Sequence, residues 1–226
     1  MNLLRTLVLS AVGLASAASI PPAAEDASVE VVSEAAQGVS PEIAALLADK
    51  AVRVSEGGTP VCDLWLVKSA TAAADFKPTL AVKYPFKSGQ LLGALTVPSG
   101  ARFTDFRGQE LAPGTYTLRY GRQPQDGNHL GTSDVEDFLV ALPAKDDKTA
   151  ATISDVKVLF RKSGEAAGSN HPAIFSLLPA DESPESPKLT HEEQRHLWVL
   201  ETGLPTGAEG TAALPMRLVV IGKAEA

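Results

Sequence analysis

The sequence predicts a mainly β fold, an antiparallel β-sandwich carrying one or two short helices. Three observations predict it. Apolar and polar residues alternate over many short stretches, Gly- and Pro-rich turns separate those stretches, and no helical runs intervene regularly as a parallel α/β sheet requires. The composition agrees with a folded chain: 226 residues, 44% hydrophobic and 21% charged, with 18 Gly and 16 Pro in no repeating period. This excludes collagen-like and fully disordered classes. A formal net charge of −7 disfavours nucleic acid and anionic membrane surfaces as partners.

The first residues read as an address. Arg5 supplies a positive start, Thr6 to Leu14 is apolar, and Ala15-Ser16-Ala17 is a small-x-small cleavage site. Residues 1–17 are therefore expected to be a signal peptide, and the protein to be secreted or periplasmic. The apolar run is well short of the ~20 residues that a membrane span needs. Residues 18–40 are rich in Ala, Ser, Glu and Pro, the composition of a flexible leader. A single β-sandwich domain is expected over 41–223.

That domain opens on Ser40-Pro41-Glu42, a hydroxyl cap, a proline and an acid in the order that starts a helix, with Ile43, Leu46 and Leu47 on one side. From Ala51 the period changes to two. Val52 and Val54 alternate with Arg53 and Ser55, Gly57-Gly58 makes a turn, and Val61 to Val67 runs on, so a hairpin is expected. Further strands are expected at Leu91 to Val97, Ala101 to Phe106, Thr115 to Tyr120, Phe138 to Leu142, Ala173 to Leu178, Leu197 to Thr202 and Leu214 to Ile221. Cys62, the only cysteine, alternates with Leu64 and Leu66 and reads as a small buried hydrophobe.

One helix interrupts the strands. Thr152-Ile153-Ser154-Asp155 fits a capping box, Ile153, Val156, Leu159 and Phe160 share a face, and Gly164 is the expected stop. Ser183 to Pro187 reads as a stiff solvated loop.

Chemistry concentrates between Pro113 and Pro143. Tyr116, Leu118 and Tyr120 point to one side of a strand and Thr115, Thr117 and Arg119 to the other. Gln123 to Asp137 is then polar, turn-rich and dense in cation-binding groups. The run PGTYTLRYGRQPQDGNHLG, with DFLVALP and SNHPAIFSLLP after it, resembles a family of exported bacterial proteins of unassigned function. The resemblance spans most of 51–222 and implies export and a mainly β fold, with no activity attached.

Two metal readings fit this loop. Counted from Asp126, Asn128 stands third, Gly131 sixth, Asp134 ninth and Asp137 twelfth, a partial match to a calcium loop. Leu130 at the fifth place offers no side-chain oxygen, and Asp137 is one methylene shorter than the usual Glu. Alternatively, His129 with Asp126 or Asp137, joined by His171 from the Asn170-His171-Pro172 turn, has the donor chemistry of a transition-metal site. His191 and His196 stand five apart, the wrong spacing for one helix face. Against both readings, Asp126, Gly127 and Asn128 are ordinary turn residues whose presence needs no ligand.

No Gly-x-Ser-x-Gly elbow, phosphate-binding loop or Rossmann glycine pattern occurs. The leading expectation is an exported binding or structural module whose partner is a protein or a polysaccharide, with Trp65, Trp198, Tyr116 and Tyr120 as candidates for sugar stacking. The alternative is a divalent-metal domain or a metal-dependent enzyme built on Asp126–Asp137 and His171.

Overall fold

A computed structural model describes residues 26–124, 135–207 and 212–224. The expected signal segment lies outside them. The fold is mainly β, as expected. Among the described residues no helix is long and apolar enough to cross a membrane.

The first strand, β1 (Ala27–Val32), falls inside the segment expected to be a flexible leader. It pairs along its whole length with β2 (Ala51–Glu56). Trp65 Nε1 donates to Glu34 O at 2.7 Å and Arg53 pairs with Glu34 at 3.3 Å, which fixes the chain after it. The strand escaped the sequence reading because it lies at an edge. Ser28 and Glu30 face water, so half of its residues have the composition of a linker.

Helix α1 (Pro41–Ala44) begins as expected, with the Ser40 hydroxyl accepting from Ile43 N at 3.3 Å. It is a single turn. Ile43 and Leu47 are buried, whereas Leu46 does not share their face and is 44% exposed. The Gly-Gly hairpin forms between β2 and β3 (Thr59–Leu66). Next come β4 (Leu91–Val97), the small hairpin of β5 (Phe103–Thr104) and β6 (Glu110–Leu111), β7 (Gly114–Arg122) and β8 (Asp137–Pro143). Helix α2 (Val156–Ala167) leads to β9 (Ile174–Leu178), β10 (Lys188–Glu192), β11 (Leu197–Leu204) and β12 (Leu214–Ile221).

Ten strands form one antiparallel sheet in the order β1-β2-β3-β4-β7-β8-β9-β12-β11-β10. The sheet curls until its two edge strands, β1 and β10, bring Cα atoms within 8 Å of each other. Its two halves therefore face one another as the layers of a sandwich do. Trp65, Leu95 and Leu118 from one half share a core with Leu200, Met216 and Leu218 from the other.

The outer face is covered in two places. Helix α2 lays Leu159 and Phe160 on Phe138, Val140 and Leu142 of β8. Truncating Leu159 to Ala is worth about 2–5 kcal/mol on general grounds. Phe106, from the β5–β6 hairpin, covers Leu178, Val199 and Val219.

Helix α2 differs from expectation at both ends. Its cap is Asp155, whose carboxylate accepts from Lys157 N at 2.9 Å and Val158 N at 3.2 Å. At the far end it runs through Gly164 and stops at Gly168, which takes the left-handed conformation. Gly164 is there for closeness: a Cβ on it would stand 2.7 Å from Ser169 O. Thr152 and Ile153 are thereby left outside the helix.

Candidate functional site

Among the described residues four aspartates are buried, and each is engaged by the chain's own donors: Asp63 accepts from Arg53 Nε and Nη2, both at 2.8 Å, and the other three bind more widely. Asp105 Oδ1 accepts from Arg107 N at 2.9 Å and Gln109 N at 2.7 Å. Its Oδ2 accepts from Gln109 Nε2 at 2.8 Å and Ile174 N at 3.0 Å, tying the β5–β6 hairpin to β9. Four bonds use the acceptor capacity of a carboxylate in full.

Asp137 begins β8 on the inner side of the curl. It accepts from Lys83 N at 2.6 Å, from Tyr84 N at 3.4 Å and from the Tyr120 hydroxyl. Burial pushes its carboxyl above the ordinary range, and those three bonds only partly offset that. Burial likewise raises Tyr120 and Tyr84, so both phenols stay neutral across the physiological range. The Cys62 thiol, also pushed up by burial, is a poor nucleophile.

Asp147 pairs with Arg119, whose side chain is completely buried on β7. Arg119 Nε meets Asp147 Oδ2 at 2.7 Å and Nη2 meets Oδ1 at 2.9 Å. Nη1 donates to Gly89 O at 2.7 Å and Ala151 O at 2.9 Å, and Nη2 to Thr149 O at 2.6 Å. All five guanidinium hydrogens are used, the condition under which a buried cation is tolerated. These bonds lock 147–151 to the turn at Gly89, and Ile153 N donates to Gly89 O at 3.2 Å. Gly89 has φ +82°, and a Cβ there would lie 2.0 Å from Ile153 O.

The locked segments wall a cavity of about 500 Å³ where β3 leaves the sheet and β4 enters it. Leu46, Val67, Ala70, Pro85, Leu91 and Ala150 line it with aliphatic surface. Thr71, Gln90, Thr152 and Lys87 contribute polar groups. Two further bonds tie α1 to the same wall: Ser40 Oγ donates to Lys148 O at 2.7 Å, and Ala150 N donates to Glu42 Oε1 at 2.8 Å. The volume falls within the range of small-molecule sites, and the chain's own hydrogen bonds hold the walls.

Of the residues singled out as metal ligands, Asp126, Asn128, His129 and Asp134 lie outside the described residues. Asp137 and His171 are not brought together. Phe138 pairs with Ser176, Val140 with Ile174, and Ala141 N bonds Ala173 O, a register that puts His171 at the Pro143 end of β8, opposite to the Asp137 end. At ~3.3 Å per residue the two side chains start about 20 Å apart. The pairing fails because antiparallel register sends the chain before β9 to the end opposite Asp137. Among the described residues no three His, Cys, Asp or Glu side chains are grouped to hold a metal ion.

Of the aromatic candidates for sugar stacking, Trp65, Tyr116 and Tyr120 are buried. Trp198 is half-buried, with His191 stacked on it at a centroid distance of 4.4 Å. None of the four lines the cavity.

Sequence reasoning missed the cavity because its walls come from 46, 67–73, 85–91 and 150–152, none of which forms a motif. Arg119 gave no signal either: alternating with Leu118 and Tyr120, it reads as an ordinary polar residue on the other face of its strand, whereas the structure buries it completely. No family model, curated protein or solved structure matches this chain.

Proposed function

We propose that the chain is an exported, non-enzymatic binding module, and that its ligand seats in the cavity between β3, β4 and the 147–153 segment. The observation that carries this is the pinned wall. A completely buried arginine binds the Gly89 turn and the 149–151 segment together, and residues next to both line the 500 Å³ cavity, although burying it is costly and a plain core would stabilise the fold as well. Such preorganisation lowers the ordering cost of binding. The four buried aspartates, by contrast, are each bonded to structural donors of the chain, and none of them lines the cavity. Export rests on Arg5, the apolar Thr6–Leu14 run and Ala15-Ser16-Ala17.

The test is fluorescence titration of purified protein with N-phenylnaphthylamine, a neutral apolar dye. A saturable one-site enhancement is expected, and Ala72→Trp, which places an indole in the cavity, abolishes it while leaving the far-ultraviolet dichroism unchanged. Enhancement that does not saturate, or that survives Ala72→Trp, overturns the proposal.

A further inference from the structure

The charge and lining of this cavity specify a class of ligand, an inference that rests on the binding role proposed above. Among the described residues, Lys87 is the single charged side chain that lines it. The Lys87 side chain is exposed, and its ammonium makes no ion pair or hydrogen bond among the described residues. The nearby cation Lys68 is already neutralised by Asp49 at 3.0 Å. The Glu42 carboxylate beside the same wall is engaged by Ala150 N at 2.8 Å, so the Lys87 ammonium is the charge left to meet an anionic group at this concave site.

Around it the surface is mixed. Leu46, Val67, Ala70, Pro85 and Leu91 offer methyl and methylene contacts, Ser69, Thr71 and Thr152 bring hydroxyls to the wall, and among the described residues no lining side chain is aromatic. Leu46 keeps 44% of its surface exposed in spite of its size. Without an aromatic face, that arrangement lacks the flat platform on which a sugar ring stacks. Nor does it suit a dianion, since only one positive charge is present to meet it.

We infer that the cavity takes a small aliphatic monocarboxylate, with its apolar body against Leu46, Val67 and Leu91 and its carboxylate at Lys87. The Gln90 side chain is held away from this role. Its Nε2 donates to Thr71 O at 2.9 Å and its Oε1 accepts from Lys87 N at 3.3 Å, so it shapes the wall.

Displacement of N-phenylnaphthylamine by octanoate, octanol and octyltrimethylammonium separates the charge from the tail. Octanoate is expected to displace the dye about fivefold more effectively than octanol, the effect of roughly one exposed charge pair. Octyltrimethylammonium is expected to be the weakest. In Lys87→Gln the octanoate advantage disappears, and in the native protein it shrinks as salt rises. Equal displacement by octanoate and octanol, or an advantage that survives Lys87→Gln, overturns the ligand class. If the dye still binds in an Ala72-sensitive way, the cavity's binding role stands. A dye that does not bind, or binds regardless of Ala72→Trp, removes both.

Discussion

Arg119 and Asp147 form a bidentate ion pair at 2.7 and 2.9 Å with the arginine entirely out of water. The pair joins β7 to the segment that walls the cavity, so the core of the sheet and the candidate site share one structural joint. Thr117 Oγ1 also donates to Asp147 at 2.5 Å, which completes a polar island on the outer face of β7.

Arg119→Met is expected to lower unfolding stability by about 3–5 kcal/mol, because it strands a buried carboxylate. Adding Asp147→Asn restores the part due to the unpaired charge. It does not restore the part due to Gly89 O, Thr149 O and Ala151 O, which lose their donor. Urea denaturation of the two variants measures the split. Dye binding is lost in both, since the wall is no longer held. A double variant as stable as the native protein would show that those three carbonyl bonds contribute nothing.

Gly89 and Gly58 provide a matched comparison. Both have φ near +80°, at +82° and +79°, but nothing lies within 4 Å of a Cβ at Gly58, whereas Ile153 O lies at 2.0 Å from one at Gly89. Gly58→Ala is expected to cost about 1–2 kcal/mol, the backbone penalty alone. Gly89→Ala adds a backbone collision that must push the two walls apart, and is expected to cost more than about 3 kcal/mol. Thermal melts rank the two, and equal losses would mean that the walls yield freely.

Asp137 gives the fold a pH dependence of definite sign. Its folded-state pKa is raised above the ordinary 3.8, so the folded chain holds that proton more tightly than the unfolded chain. The contribution is fully present below 3.8 and is lost as pH rises through the folded value. Glu201 acts in the opposite sense. Burial raises it, but bonds from Lys188 and Thr190 and the charges of Lys188 and Arg217 outweigh that and lower it. Stability measured against pH for the native protein and Asp137→Asn separates the two. The difference between the curves is expected to drift in favour of the variant as pH rises from 3.8 towards neutrality, and a constant difference would refute the assignment.

Local patterns made much of this architecture legible in the sequence. Alternation marked the long strands, Ser40-Pro41 marked α1, and Gly57-Gly58 marked the first hairpin. What escaped was set by position in the sheet. β1 and β10 are half-exposed edge strands, so their alternation is diluted by Ser28, Glu30, Lys188 and Glu192. The end of α2 was misread because Gly164 answers a tertiary demand, closeness to Ser169, that no local rule contains. The cavity is the extreme case. Its walls become neighbours through Arg119 and through bonds such as Ile153 N to Gly89 O, contacts between distant residues that spacing cannot reveal.

Tyr84 makes the last prediction. Its hydroxyl donates to Leu178 O at 2.7 Å and accepts from Arg217 N at 3.1 Å. Leu178 and Arg217 are register partners on β9 and β12, so the phenol bridges two strands where a direct ladder bond would otherwise run. Tyr84→Phe keeps the ring and its stack on Phe86 at 6.2 Å, and leaves one amide and one carbonyl without their partner. The expected loss is about 2 kcal/mol. Its signature is local: amide hydrogen exchange accelerates at Arg217 well beyond its neighbours on β12, because the strands must separate slightly to admit water. Uniform acceleration along β12 would show instead that the hydroxyl stabilises the fold as a whole, and unchanged exchange would show that the strands close the gap by themselves.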